Sequence, residues 1–227
     1  MDRRSLVFGA FLGFLVAQSP SFLNHLTFFL SGQVSEMMFQ GNWTLVALNI
    51  GGFLLFLIPL AYRRKADWRS YGIYTAFIVS LFVEMYGIPL TVYLGSGLLS
   101  SSMTPPDVVL TLSFFGTSLA MNYWMIIGAL ITSIGMLIVT VGWAQIYRGE
   151  GLVTDGIYKY SRHPQYLGII LIAVGWFIGW PTLLTMAILP ILTYEYYRLS
   201  FKEEEEVIEE LGEEKYQEYR EKTPLLI

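Results

Sequence analysis

Between Asn122 and Tyr147 the chain carries no charged residue, and from Tyr166 onward it meets none until Glu195. Runs of this kind limit the fold more than any other feature of the sequence. A helix rises about 1.5 Å per residue and a hydrocarbon core is about 30 Å thick, so about 20 apolar residues cross it. Of the 227 residues 54% are hydrophobic and 14% charged, and the few charges cluster between apolar runs. A soluble domain carries about 25% charged residues. The chain reads as all-α: a polytopic transmembrane helical bundle of about four full spans, a C-terminal Pro-broken helical hairpin, and a cytoplasmic acidic helical tail.

The expected spans are residues 5–30, 43–61, 71–94 and 122–147. The basic start at Arg3 and Arg4 resembles a signal peptide, but no small-x-small cleavage site follows. It is expected to be a retained first helix with a kink at Pro20. Residues 108–119 are too short for a span and are expected to be interfacial or re-entrant. Residues 166–199 are too long for one span and are broken at Trp180-Pro181, where proline removes a backbone donor.

Charge placement separates a kinked single helix from a hairpin there. With the N-terminus in the cytoplasm and a hairpin at 166–199, all 14 Lys and Arg residues lie on the cytoplasmic side. A single crossing after Arg162 strands five of them outside. The hairpin follows, with both termini cytoplasmic in a multi-pass integral membrane protein.

Several function classes drop out. The net charge of −4 and the lack of a basic patch with interleaved aromatics leave no case for nucleic acid. With no cysteine and two histidines, His25 and His163, there is no thiolate chemistry and little basis for a zinc or haem site.

The polar stretch that stands out is Arg162-His163-Pro164-Gln165-Tyr166-Leu167-Gly168, at the mouth of an apolar segment. Pro164 is suited to the first turn of a helix, so Arg162 and His163 sit at a helix N-terminus, a natural anion site. Gly151 and Gly156 just before it allow close backbone approach to a ligand. The plainer alternative is a basic loop contacting lipid phosphates. Downstream come Glu203 to Glu206, Glu209, Glu210, Glu213 and Glu214. Most belong on a solvated helix face, and the tail from Lys202 to Lys222 reads as a helix or helix pair with a break near Gly212. Glu203 and Glu204, nearest the membrane, are placed to turn back toward the Arg162-His163 turn and to accept from ribose hydroxyls or counter a cation. Glu84 sits at membrane depth, where a charge is costly and is a functional candidate by default. Its alternative is a buried acid held by a neighbouring polar group. Glu195 and His25 read as structural.

Gly156-x-Tyr158, Arg162-His163-Pro164-x-Tyr166-x-Gly168, the proline-broken hairpin, Glu203-Glu204, and Gly212 with Tyr216, Tyr219 and Pro224 together resemble the isoprenylcysteine carboxyl methyltransferase family and its phospholipid methyltransferase relatives. The resemblance covers residues 151–224. It implies an integral membrane enzyme that uses S-adenosylmethionine, with a lipophilic or prenylated acceptor entering from the bilayer. Carried over by position, His163, Tyr166, Gly168, Glu203 and Glu204 line the cofactor pocket with Tyr158 close by. Arg162 lies near the acceptor or the cofactor carboxylate, and Glu84 is a candidate proton acceptor for an amine substrate. Residues 1–147 then form the acceptor side and 148–227 the cofactor region. The Gly212 to Tyr216 spacing is one residue longer than the family's pattern, which leaves the register of Tyr216 and Tyr219 open. Two competitors remain: an NAD(P)H-dependent membrane reductase of sterol reductase type, and a scaffold without turnover. The acidic tail disfavours the first, because a 2′-phosphate prefers arginines.

Overall fold

The computed structural model describes residues 3–31, 44, 47–48, 50–52, 54–55, 68–84, 106–114, 117–149 and 151–226. Helix α1 spans Arg3–Leu30 and runs through Pro20. Most of the expected second span lies outside the described residues; those described within it are helical. Helix α2 spans Trp68–Phe82, the first part of the expected 71–94 span, and positions beyond 84 there lie outside the described residues.

The chain is mostly helical but not all-α as expected. Strands β1, Val108–Phe114, and β2, Thr117–Asn122, form an antiparallel hairpin with Thr111 opposite Ala120 and Leu112 opposite Leu119. The expected interfacial or re-entrant segment is therefore a β-ribbon. A short apolar run does not by itself distinguish strand from helix. Here the β-branched Val108, Val109, Thr111 and Thr117 tip the balance toward strand.

The hairpin delivers the chain to α3, Tyr123–Arg148. Asn122 caps it, its Oδ1 accepting from the N–H groups of Trp124 and Met125 at 3.0 and 3.1 Å. Among the described residues α3 is the one helix long and apolar enough to cross a membrane. A 3₁₀ turn at Gly156–Lys159 follows, then α4, Pro164–Gly179, with proline in its first turn as expected. After Trp180 and Pro181, a reciprocal Thr182–Thr185 capping box starts α5, Leu183–Leu211. The 166–199 stretch is thus a hairpin of two helices rather than one kinked rod.

Helix α5 does not stop at the end of the apolar run. Its 29 residues make a rod of about 43 Å, so Glu203 and Glu204 ride on the same helix as the core residue Tyr196. The tail does not begin as a separate helix at Lys202. The break falls at Gly212, whose φ of 91° is a left-handed value that glycine tolerates, and α6, Glu213–Lys222, begins there.

Helices α3 and α4 pack along their lengths through a glycine seam. A Cβ on Gly128 would lie 2.5 Å from the Gly175 carbonyl oxygen, one on Gly135 2.6 Å from that of Gly168, and one on Gly175 2.7 Å from that of Gly128. Such close backbone approach brings the two helices into extensive dispersion contact. Leu130, Ile134 and Leu137 lie exposed along α3. The buried core gathers Tyr74, Phe77, Ile78 and Leu81 of α2, Val139 and Trp143 of α3, Tyr166, Ile169 and Ile172 of α4, and Leu192, Tyr196 and Leu199 of α5.

His25 ties α1 to this pair where α3 begins and α4 ends. Because Asn122 Oδ1 already accepts two N–H groups, its Nδ2 faces His25 Nδ1 at 3.1 Å. His25 Nδ1 must then accept, which puts the proton on Nε2, and Nε2 donates to the Ile178 carbonyl at 2.9 Å. The ring is fully buried with both nitrogens satisfied, a structural staple.

Candidate functional site

At the opposite end of α4 the polar residues converge. Arg162 and His163 precede Pro164, and across the hairpin α5 presents Glu203 and Glu204. Arg162 Nη1 lies 3.1 Å from Glu204 Oε1 and donates to Oε2 at 3.2 Å. His163 Nε2 lies 3.4 Å from Glu204 Oε1, and Nδ1 3.7 Å from Glu203 Oε2. Those two distances are ion-pair distances, long for hydrogen bonds. The Tyr166 hydroxyl donates to Glu203 Oε1. The His163 ring stacks parallel to that of Tyr166, with centroids 5.5 Å apart, and Tyr196 packs on the Tyr166 ring at 5.0 Å.

The cluster is deeply enclosed yet not fully satisfied. The Arg162 and Glu204 side chains are 9% and 4% exposed, and His163 8%. Arg162 Nε, both His163 ring nitrogens and Glu204 Oε1 are buried without a hydrogen bond of good geometry. Buried polar atoms are nearly always paired, so four such atoms in one place call for an explanation.

Electrostatics follow the geometry. Burial opposes charge on Glu204, but the adjacent His163 ring and the Arg162 guanidinium outweigh it and hold the carboxyl below its ordinary value. Tyr216 stands within hydrogen-bonding reach of Glu204, and burial, then the Glu204 charge, pushes its phenol up. Burial raises the Tyr219 phenol to about 12. Both tyrosines are buried on one face of α6, so the register left open by the sequence places both beside Arg162 and Glu204.

The expected site residues therefore divide. Arg162, His163, Tyr166, Glu203 and Glu204 come together. Tyr158 lies beneath them, its buried hydroxyl donating to Gln165 Oε1 at 3.0 Å and facing α3. Gly168 lies in the α3–α4 seam: a Cβ there would sit 2.6 Å from Val139 Cγ2 and 2.8 Å from the Gly135 carbonyl oxygen. Glu84 is buried ten residues past Tyr74 on the α2 side, about 15 Å along a helix axis. Glu205, Glu206, Glu209 and Glu214 are exposed.

Gly156, at φ 57°, makes a close approach to Gln145, whose Nε2 would lie 1.8 Å from an added Cβ. The N–H groups of Arg162 and His163 do not point outward to an anion. They donate to the carbonyls of Pro224 and Leu225 at 3.0 and 3.2 Å.

Residues 118–210 match the model of the isoprenylcysteine carboxyl methyltransferase family. The chain is 30% identical over 73 residues to a protein-S-isoprenylcysteine O-methyltransferase of Schizosaccharomyces pombe. That match covers 32% of this chain and 31% of the relative, so the chain spans about a third of the curated relative it matches. No solved structure matches the chain. The matched interval contains α3, α4, all but the last residue of α5 and every residue of the Arg162–Glu204 cluster, and over it the chain bears the sequence pattern of the isoprenylcysteine carboxyl methyltransferase family.

Proposed function

We propose that this protein is a multi-pass membrane methyltransferase that uses S-adenosylmethionine to carboxyl-methylate a lipophilic, isoprenylcysteine-like acceptor. The observation that carries this is the set of buried, unsatisfied polar atoms on Arg162, His163 and Glu204. An α-amino acid head group brings a carboxylate that suits Arg162 and His163 and an ammonium that suits Glu204. It would replace their mutual ion pair charge for charge. When bound, S-adenosylmethionine supplies such a head group and an electrophilic methyl on its sulfonium.

His163, Tyr166, Glu203 and Glu204 are the residues that would hold it. Tyr216 offers an aromatic face to a cation, and Glu203 offers an acceptor to a ribose hydroxyl. Enclosure by α6 excludes water and strengthens every charge contact. Gly168 serves by letting α4 lie close on α3, which fixes where Arg162 and His163 begin. A carboxylate acceptor is already nucleophilic, so holding donor and acceptor in line supplies most of the rate. Glu84 enters only for an amine acceptor, where it would take the proton. The apolar α3, the glycine seam and the one-sided Lys and Arg distribution support a membrane setting with both termini cytoplasmic. In it, residues 1–147 form the acceptor side and 148–227 the cofactor side.

The test is methyl transfer from labelled S-adenosylmethionine to N-acetyl-S-farnesylcysteine by the purified protein. A base-labile methyl ester, lost in Glu204→Gln, is expected. Transfer to phosphatidylethanolamine in its place would reassign the acceptor to an amine. NADPH-dependent reduction of a sterol, with no methyl transfer, would overturn the proposal.

A further inference from the structure

We infer that α6 and residues 223–226 form a clamp that sets the position of Arg162 and His163, with Tyr219 as its positioning residue. This rests on the methyltransferase reading only for the ligand it affects. The clamp lies beyond the family-matched interval, which ends at 210.

Helix α6 is polar, and its buried tyrosines are three residues apart on one face. They bridge the two halves of the site. Tyr216 reaches Glu204 on α5, while the Tyr219 hydroxyl donates to the Tyr158 carbonyl at 2.6 Å, on the turn that leads into Arg162. The Thr223 N–H donates to the Tyr219 carbonyl, which ends the helix and sends the chain back over the motif. There Pro224 and Leu225 accept from the Arg162 and His163 N–H groups, and Ser161 Oγ donates to the Leu225 carbonyl at 3.3 Å. Leu226 packs on the buried core and anchors the end. The backbone of the two basic residues is thus held mainly by a segment about 60 residues downstream, a distance close to the 61-residue separation of Tyr158 and Tyr219.

Release of the clamp frees Arg162 and His163 from their backbone acceptors and so loosens the side chains that face Glu203 and Glu204. Tyr219→Phe removes one hydrogen bond of the clamp without disturbing α3, α4 or the acids.

The test compares wild type, full-length Tyr219→Phe, and a chain ending at Lys222, all in detergent. Hydrogen exchange is read at the amides of Arg162 and His163, with the amides around Gly135 and Gly168 as a folding control. Exchange at 162 and 163 is expected to accelerate in both variants while the seam amides stay protected. In Tyr219→Phe the affinity for S-adenosylhomocysteine should fall by about tenfold, and KM should rise for the methyl donor but not for the acceptor. Unchanged exchange at 162 and 163 in the folded Tyr219→Phe protein would overturn the clamp. If wild type binds no S-adenosylhomocysteine, the proposed function fails, and the exchange result still decides the clamp.

Discussion

Arg162 and Glu204 meet at 3.1 Å at the open end of the α4–α5 hairpin, 42 residues apart in sequence. The pair is buried, and its surroundings are built on it: His163 contacts the same carboxylate, and Tyr216 and Tyr219 close over it. Taking two charges out of water costs several kcal/mol each, and only good geometry repays it.

Removal of one partner leaves the other buried and uncompensated. Glu204→Gln should therefore lower the unfolding free energy by about 3 kcal/mol. Arg162→Met with Glu204→Leu should recover part of that loss, because an apolar pair carries no desolvation cost. Thermal unfolding in detergent of the two singles and the double measures this. Glu209→Ala, on the exposed face of α5, should stay within about 0.5 kcal/mol of wild type.

The depressed Glu204 carboxyl predicts a pH dependence. Its folded pKa is below the ordinary 4.5, so its contribution is complete above pH 4.5. It is lost as pH falls through the lower folded value, because the unfolded chain then binds the extra proton more readily. Stability measured from pH 6 downward should fall on the acid side in wild type. In Glu204→Gln that limb should be shallower.

Gly168→Ala tests a residue that the family pattern assigns to the cofactor and the structure places in the helix seam. An added Cβ meets the Gly135 carbonyl oxygen at 2.8 Å, and backbone cannot swing aside as a side-chain tip does. The expected cost is about 1–3 kcal/mol, read as a lower melting temperature. The folded protein should retain its affinity for S-adenosylhomocysteine to within a few-fold.

Asn122→Ala acts at the other end of the α3–α4 pair. It removes two hydrogen bonds at the start of α3 and the donor that faces His25. A loss of about 1–2 kcal/mol is expected, with adenosyl-ligand affinity unchanged. A large change in affinity would mean that the two ends are coupled.

The sequence told most where local chemistry sets the structure. Pro164 marks the start of α4, Trp180-Pro181 its turn into α5, and Gly212 the break before α6. The Arg162, His163, Tyr166, Glu203 and Glu204 grouping was legible through the family pattern, since residues 37 to 42 positions apart carry no local sign of contact. The β-ribbon at Val108–Asn122 was not, because a short apolar run fits several states. The acceptors for the Arg162 and His163 amides were not legible either. Carbonyls of Pro224 and Leu225 leave no trace in side-chain pattern, and the outward-pointing helix N-terminus was the natural expectation without them. Gly156 showed as a glycine that something approaches closely, but sequence does not say whether that is a ligand or another part of the chain.

The most direct measurement is calorimetric titration of the detergent-purified protein with S-adenosylmethionine, S-adenosylhomocysteine and NADPH, in parallel with His163→Ala. Binding of the two adenosyl ligands at one site per chain, weakened by at least tenfold in a His163→Ala protein that melts normally, is the predicted result. NADPH binding with no adenosyl binding, or adenosyl binding indifferent to His163, would contradict the assignment of this cluster as the methyl donor's site.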